Sequence, residues 1–83
     1  MKQDSMINCT ITSPQKTTVY KNARSVTLPA LSGQMQILPG HAESFILLQK
    51  GNISLQKSNK ETEIIQNING ECHIKNDAVT VIL

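Results

Sequence analysis

The feature that most constrains this chain is a period of two in its apolar residues, repeated along most of its 83 positions. Ile7, Cys9 and Ile11 alternate with Asn8, Thr10 and Thr12. The same alternation recurs at Val26 and Leu28, at Met35 and Ile37, and at Ile53 and Leu55. It returns at Cys72 and Ile74 and again at Val79 and Val81. Successive side chains of a strand point to opposite faces, so each run places one set on a core and the other in water. Ile, Val and Thr fill 21 of the 83 positions, and branching at Cβ favours a pleated surface over a helix. Phe45 to Leu48 breaks the alternation with four apolar residues in a row, which predicts a fully buried strand.

Turn signals separate these runs: Ser13-Pro14, Lys21-Asn22, Pro29 to Gly33, Pro39-Gly40, Lys50 to Asn52, Lys57 to Lys60, Asn69-Gly70 and Asn76-Asp77. Asn-Gly suits a two-residue hairpin because both turn positions tolerate positive φ. Eight or nine short strands at this spacing predict an all-β, antiparallel sandwich or barrel. The length suits one domain, with residues 1–5 read as a flexible N-terminus and residues 6–83 as the folded unit. Leu, Ile, Val and Phe number 22 of 83, enough for an aliphatic core.

Several function classes fall away. The net charge is +2 with scattered charges, and Tyr20 and Phe45 are the only aromatics. A nucleic-acid binder needs a basic stripe or stacking rings, and neither is present. Met1 to Cys9 lacks the apolar centre of a signal peptide, and no run reaches the ~20 apolar residues of a membrane span. Together with only two cysteines, this reads as a soluble cytoplasmic protein with reduced thiols and no direct membrane insertion.

The stretch "GQMQILPGHAES", residues 33–44, admits three readings: a turn, a chemical site or a docking loop. His41 and Glu43 are two apart and share a face in extended chain, yet no Ser or Cys nucleophile with an orienting partner stands near them in sequence. Ser44 lacks the G-x-S-x-G context of a nucleophile elbow. Cys9, Cys72, His41 and His73 lack the close pairs of a zinc site. Cys72 and His73 are strand neighbours and point to opposite faces, so both cysteines read as buried and inert. No glycine-rich phosphate loop occurs. No catalytic residue, cofactor or metal is expected, and binding another protein is the natural role for such a domain.

"SVTLPALSGQMQILPGHAESFILLQKG" closely resembles the amino-terminal domain of the F-type ATP synthase epsilon subunit. The positions that carry the resemblance are Pro29, Ala30, Gly33, Leu38, Pro39, His41, Ala42, Leu48 and Gly51. "ITSPQKTTVYKNARSVTLP" is similar to that family's opening, and "NINGECHIKNDAVTVIL" to its closing Gly-containing hairpin and last strand. Gln34 stands where the family usually has an acidic residue, and Glu43 where it often has Pro. Asn69 and Glu71 replace a glycine and a large apolar residue.

The resemblance implies a sandwich of about ten short strands in two sheets. It implies a non-catalytic rotor subunit in the central stalk of a proton- or sodium-translocating ATP synthase, coupling the gamma subunit to the polar loops of the c-ring. The location it implies is peripheral, at the cytoplasmic face of the inner membrane. It further implies that Gly33 and Gln34, together with Gly40, His41, Ala42 and Glu43, lie at the sandwich end that faces the ring; the two substitutions at Gln34 and Glu43 suggest in addition that Glu43 restores the charge missing at Gln34. Since the family's helical hairpin has no counterpart in this sequence, no autoinhibitory extension and no ATP binding are expected. The alternatives are a generic β-sandwich adapter and, more remotely, a small hydrolase using His41, which would require a concave pocket around that residue.

Overall fold

A computed structural model describes residues 6–67 and 69–83. The expected flexible terminus, residues 1–5, lies outside the described residues. The elements are β1 (Ile7–Thr12), β2 (Thr17–Ala30), β3 (Gly33–Ile37), β4 (Ser44–Leu48), β5 (Gly51–Lys57), β6 (Thr62–Asn67), β7 (Gly70–Lys75) and β8 (Ala78–Ile82). Among the described residues there are eight strands, fewer than about ten, and no helix.

One strand of the difference has a definite cause. The turn expected at Lys21-Asn22 is a bulge inside one 14-residue strand, β2. Ile7 pairs with Ala23 and Cys9 with Tyr20, so Asn8 alone opposes both Lys21 and Asn22. Asn22 takes φ 61, a left-handed conformation that Asn tolerates well. A second extra residue, Arg24, lies between the Ala23–Lys57 and Ser25–Gln56 pairs. Two bulges in succession bend and twist a strand enough to pass it from one sheet to another. The first half of β2 therefore joins β1, β8, β7 and β4 in one layer. Its second half joins β3, β5 and β6 in the other, and a single Ala30–Leu48 bridge closes the seam between β2 and β4.

Every pair is antiparallel except β1–β8, which is parallel. These strands lie at opposite ends of the chain, so no hairpin dictates their direction. The Asn69-Gly70 hairpin is also corrected: β6 pairs with β5, whereas β7 pairs with β4 and β8. The hairpin of this region is Asn76-Asp77, with φ 51 and 60 at its two residues, as a type I′ turn requires.

The core lies between the layers. Ile7, Cys9, Cys72, Ile74, Val79 and Val81 face Val26, Leu28, Ile37, Ile53 and Leu55, and all are essentially inaccessible. The run Phe45 to Leu48 is only half buried, against expectation. Ile46 and Leu48 join the core, while Phe45 is 56% and Leu47 50% exposed. Strand geometry enforces this, because neighbouring side chains cannot share a face.

Candidate functional site

The six candidate residues do not sit at one end of the sandwich. Gly33 pairs with Ala30 and Ala30 with Leu48, so Gly33 and Gln34 share an end with the β4–β5 turn. The Gly40–Glu43 loop precedes Ser44, which pairs with Ile74 at the far end of β4. Five residues of strand separate Glu43 from the level of Leu48, about 16 Å at the usual rise. That exceeds the ~8–10 Å screening length of physiological salt, so Glu43 cannot replace a charge missing at Gln34.

The Gly40–Glu43 loop is held by backbone bonds. The His41 N–H donates to the Leu38 carbonyl at 3.1 Å, closing the Leu38-Pro39-Gly40 turn. His41 Nδ1 donates to the Ala42 carbonyl at 2.8 Å, and Ser44 Oγ donates to the same oxygen at 3.0 Å. Both groups of a hypothetical His–Ser pair are thus spent on the main chain, not on each other. Across the loop, the Gly40 N–H donates to Asp77 Oδ1 at 2.7 Å. The depression beside the loop, about 560 Å³, is lined by Glu43, Ser44, Phe45, His73, Ile74 and Lys75 and not by His41. This depression is therefore not the concave pocket around His41 that a His41 hydrolase requires.

The two layers present different outer faces. On the first, register aligns Val19, Thr10, Thr80, His73 and Phe45 in one row. The next row runs Thr17, Thr12, Ile82, Glu71 and Leu47, and Leu31 N–H donates to the Leu47 carbonyl beside it. Phe45 and Leu47 are exposed together on β4, Leu31 is 60% exposed beside them, and Ile82, 39% exposed, stands on β8 with Glu71 between it and Leu47. Phe45 meets His73 edge to face, with centroids 4.7 Å apart, and His73 Nε2 lies 3.5 Å from Glu71 Oε2. The second layer shows the polar row Gln36, Thr27 and Ser54, with Ile64 at its edge. An apolar cluster on one face of a small domain is the mark of a protein contact. The sequence reading missed Phe45 and Leu47 because it assigned the whole run to the core, and it missed Asp77 because a turn signal says nothing about long-range contacts.

Cys9 and Cys72 lie in the core. Burial pushes both thiols up to about 12, with the neighbouring Cys72 adding to the effect at Cys9. A neutral buried thiol is neither nucleophile nor ligand. Among the described residues no cluster of three or more His, Cys, Asp or Glu side chains is placed to hold a metal. No helix among them is long and apolar enough to cross a membrane.

The comparisons with known proteins agree with this architecture. The ATP synthase epsilon chain of Wolinella succinogenes is 38% identical over 76 residues, which cover 92% of this chain and 56% of that one. That of Granulibacter bethesdensis is 33% identical over 72 residues, covering 87% and 53%. The chain thus spans about half the length of the curated relatives it matches. A chain in the Euglena gracilis mitochondrial ATP synthase structure, OSCP/F1/c-ring, superposes with a TM-score of 0.85 at 17% identity, covering 99% of this chain and 57% of that one. Residues 6–83 match the family described as ATP synthase, Delta/Epsilon chain, beta-sandwich domain, and the chain belongs to that family.

Proposed function

We propose that this chain is a non-catalytic rotor part of a proton- or sodium-translocating F-type ATP synthase, linking the gamma subunit to the c-ring. The observation that carries the proposal is the asymmetry of the two outer faces. The exposed Phe45 and Leu47 of β4, with Leu31 beside them, suit a flat protein partner, and gamma is the partner assigned to them. Relatives named as ATP synthase epsilon chains, and fold neighbours in ATP synthase assemblies that include the c-ring, support the setting. The protein is held peripherally at the cytoplasmic face of the inner membrane through those partners.

The geometry favours a division of labour between the two loops. Gly33 and Gln34, at the hairpin tip, rest on the polar loops of the c-ring. Gly40, His41, Ala42 and Glu43, at the opposite end, serve the gamma contact, and Glu43 lines the depression that leads onto Phe45. The role is mechanical: a close-packed sandwich has low compressibility and passes strain from one end to the other.

The experiment is co-purification with gamma and the c-ring, combined with single cysteines at Gln34 and Glu43 in a Cys9→Ala/Cys72→Ala background. Gln34→Cys should cross-link to c-ring loops and Glu43→Cys should not. Cross-linking of Glu43→Cys to the ring would reverse the orientation. Failure to recover gamma at all would sink the rotor reading and leave a generic sandwich adapter.

A further inference from the structure

Asp77 occupies a position that its place in a hairpin turn does not explain. Its carboxylate reaches across 37 residues of sequence to accept the Gly40 N–H at 2.7 Å. Its main-chain carbonyl accepts the Asn8 N–H at 3.1 Å. One residue thus ties the start of β1 and the β3–β4 loop to the β7–β8 hairpin. The loop's other hydrogen bonds among the described residues are local: His41 to Leu38, His41 to Ala42, and Ser44 to Ala42. Among the described residues, the Asp77 contact is the one hydrogen bond that fastens residues 39–42 to a distant element. Gly40 and Ala42 are exposed, and a Cβ at Gly40 would meet nothing within 4 Å, so at the bonded amide itself the chain is open to solvent. Gly40 holds φ 85, so the bonded shape is one that the backbone alone does not enforce.

We propose that Asp77 is a positioning residue that clamps the Gly40–Glu43 loop in its partner-binding shape by hydrogen bonding to the Gly40 amide. This rests on the docking reading given above. A carboxylate acceptor makes the bond charge-assisted and stronger than a neutral one. The clamp pre-organises an exposed loop, so the ordering cost is met during folding and not during association.

The turn itself permits a clean test. Asp77 has φ 60, which glycine adopts at no steric cost, so Asp77→Gly removes the carboxylate and keeps the hairpin. Asp77→Asn retains an acceptor oxygen without charge. Amide exchange is read by NMR on the isolated chain, and affinity is measured with the cognate gamma subunit, alongside Phe45→Asp as a face control. Asp77→Gly should speed exchange at Gly40 and His41 and weaken gamma binding, each by about tenfold, with Asp77→Asn intermediate and thermal stability little changed. Unchanged exchange at Gly40 overturns the clamp. Faster exchange with unaltered affinity, while Phe45→Asp abolishes binding, also overturns the positioning role but leaves face docking intact. If neither Asp77→Gly nor Phe45→Asp alters affinity, the docking reading itself falls.

Discussion

Replacing Gly51 by alanine should destabilise the fold through a single contact. An added Cβ would lie 2.7 Å from Pro29 Cβ and 3.3 Å from Pro29 Cγ. Carbon atoms prefer about 3.5–4.0 Å, so one contact is short by nearly an ångström. Pro29 is poorly placed to yield. It lies between the buried Leu28 and Ala30, pairs with Gln34, and its carbonyl accepts the Gln49 N–H at 2.8 Å. Overpacking costs about 1–3 kcal/mol, and a stiff proline places this case near the top of that range. The lost freedom of the unfolded chain returns about 0.4–1 kcal/mol, because Gly51 has no left-handed φ that alanine would strain. The net loss is about 2 kcal/mol, which lowers the melting temperature of a domain this size by about 8–16 °C. Thermal unfolding by circular dichroism reads it. In a Pro29→Gly background the same substitution should cost far less, since the contacting ring is gone. A melting shift below about 2 °C, or an equal loss in both backgrounds, would refute the steric argument.

Other consequences follow from the core and the apolar face. Leu28→Ala, at a position with no accessible surface, should cost about 2–5 kcal/mol in denaturant unfolding. Native Cys9 and Cys72 should resist iodoacetamide at pH 8 and react once guanidinium unfolds the chain, because burial holds both thiols near 12. The same shifts set an alkaline limit. Below pH 9 both states keep their thiols protonated, whereas from 9 to about 12 only the unfolded state ionises. Stability should then fall with rising pH by about 1.4 kcal/mol per unit for each thiol, a decline that a Cys9→Ala/Cys72→Ala variant lacks. Phe45→Asp and Leu47→Asp should weaken gamma binding by about tenfold or more in titration calorimetry while leaving the melting temperature within a few degrees.

The all-β class was legible in the sequence because alternation is a local property. Ile7, Cys9 and Ile11 must share a face wherever β1 lies, and the core list follows from that phase. The motif residues were legible as a pattern, though two of them turn out to serve packing: Gly51 is small because Pro29 stands against it. What the tertiary structure decided is where separate segments meet. Lys21-Asn22 reads as a turn in isolation, yet pairing on both flanks carries β2 through it as a bulge and into a second layer. Gln34 and Glu43 are nine positions apart in sequence, but β3 and the loop carry them to opposite ends of the sandwich. Phe45 and Leu47 are exposed because β4 is covered on one face only, which depends on layer order and not on hydropathy. The Asp77–Gly40 clamp joins residues 37 apart. Local periodicity specifies which side chains share a face, whereas the partners of each face and loop depend on chain-wide pairing that no short window contains.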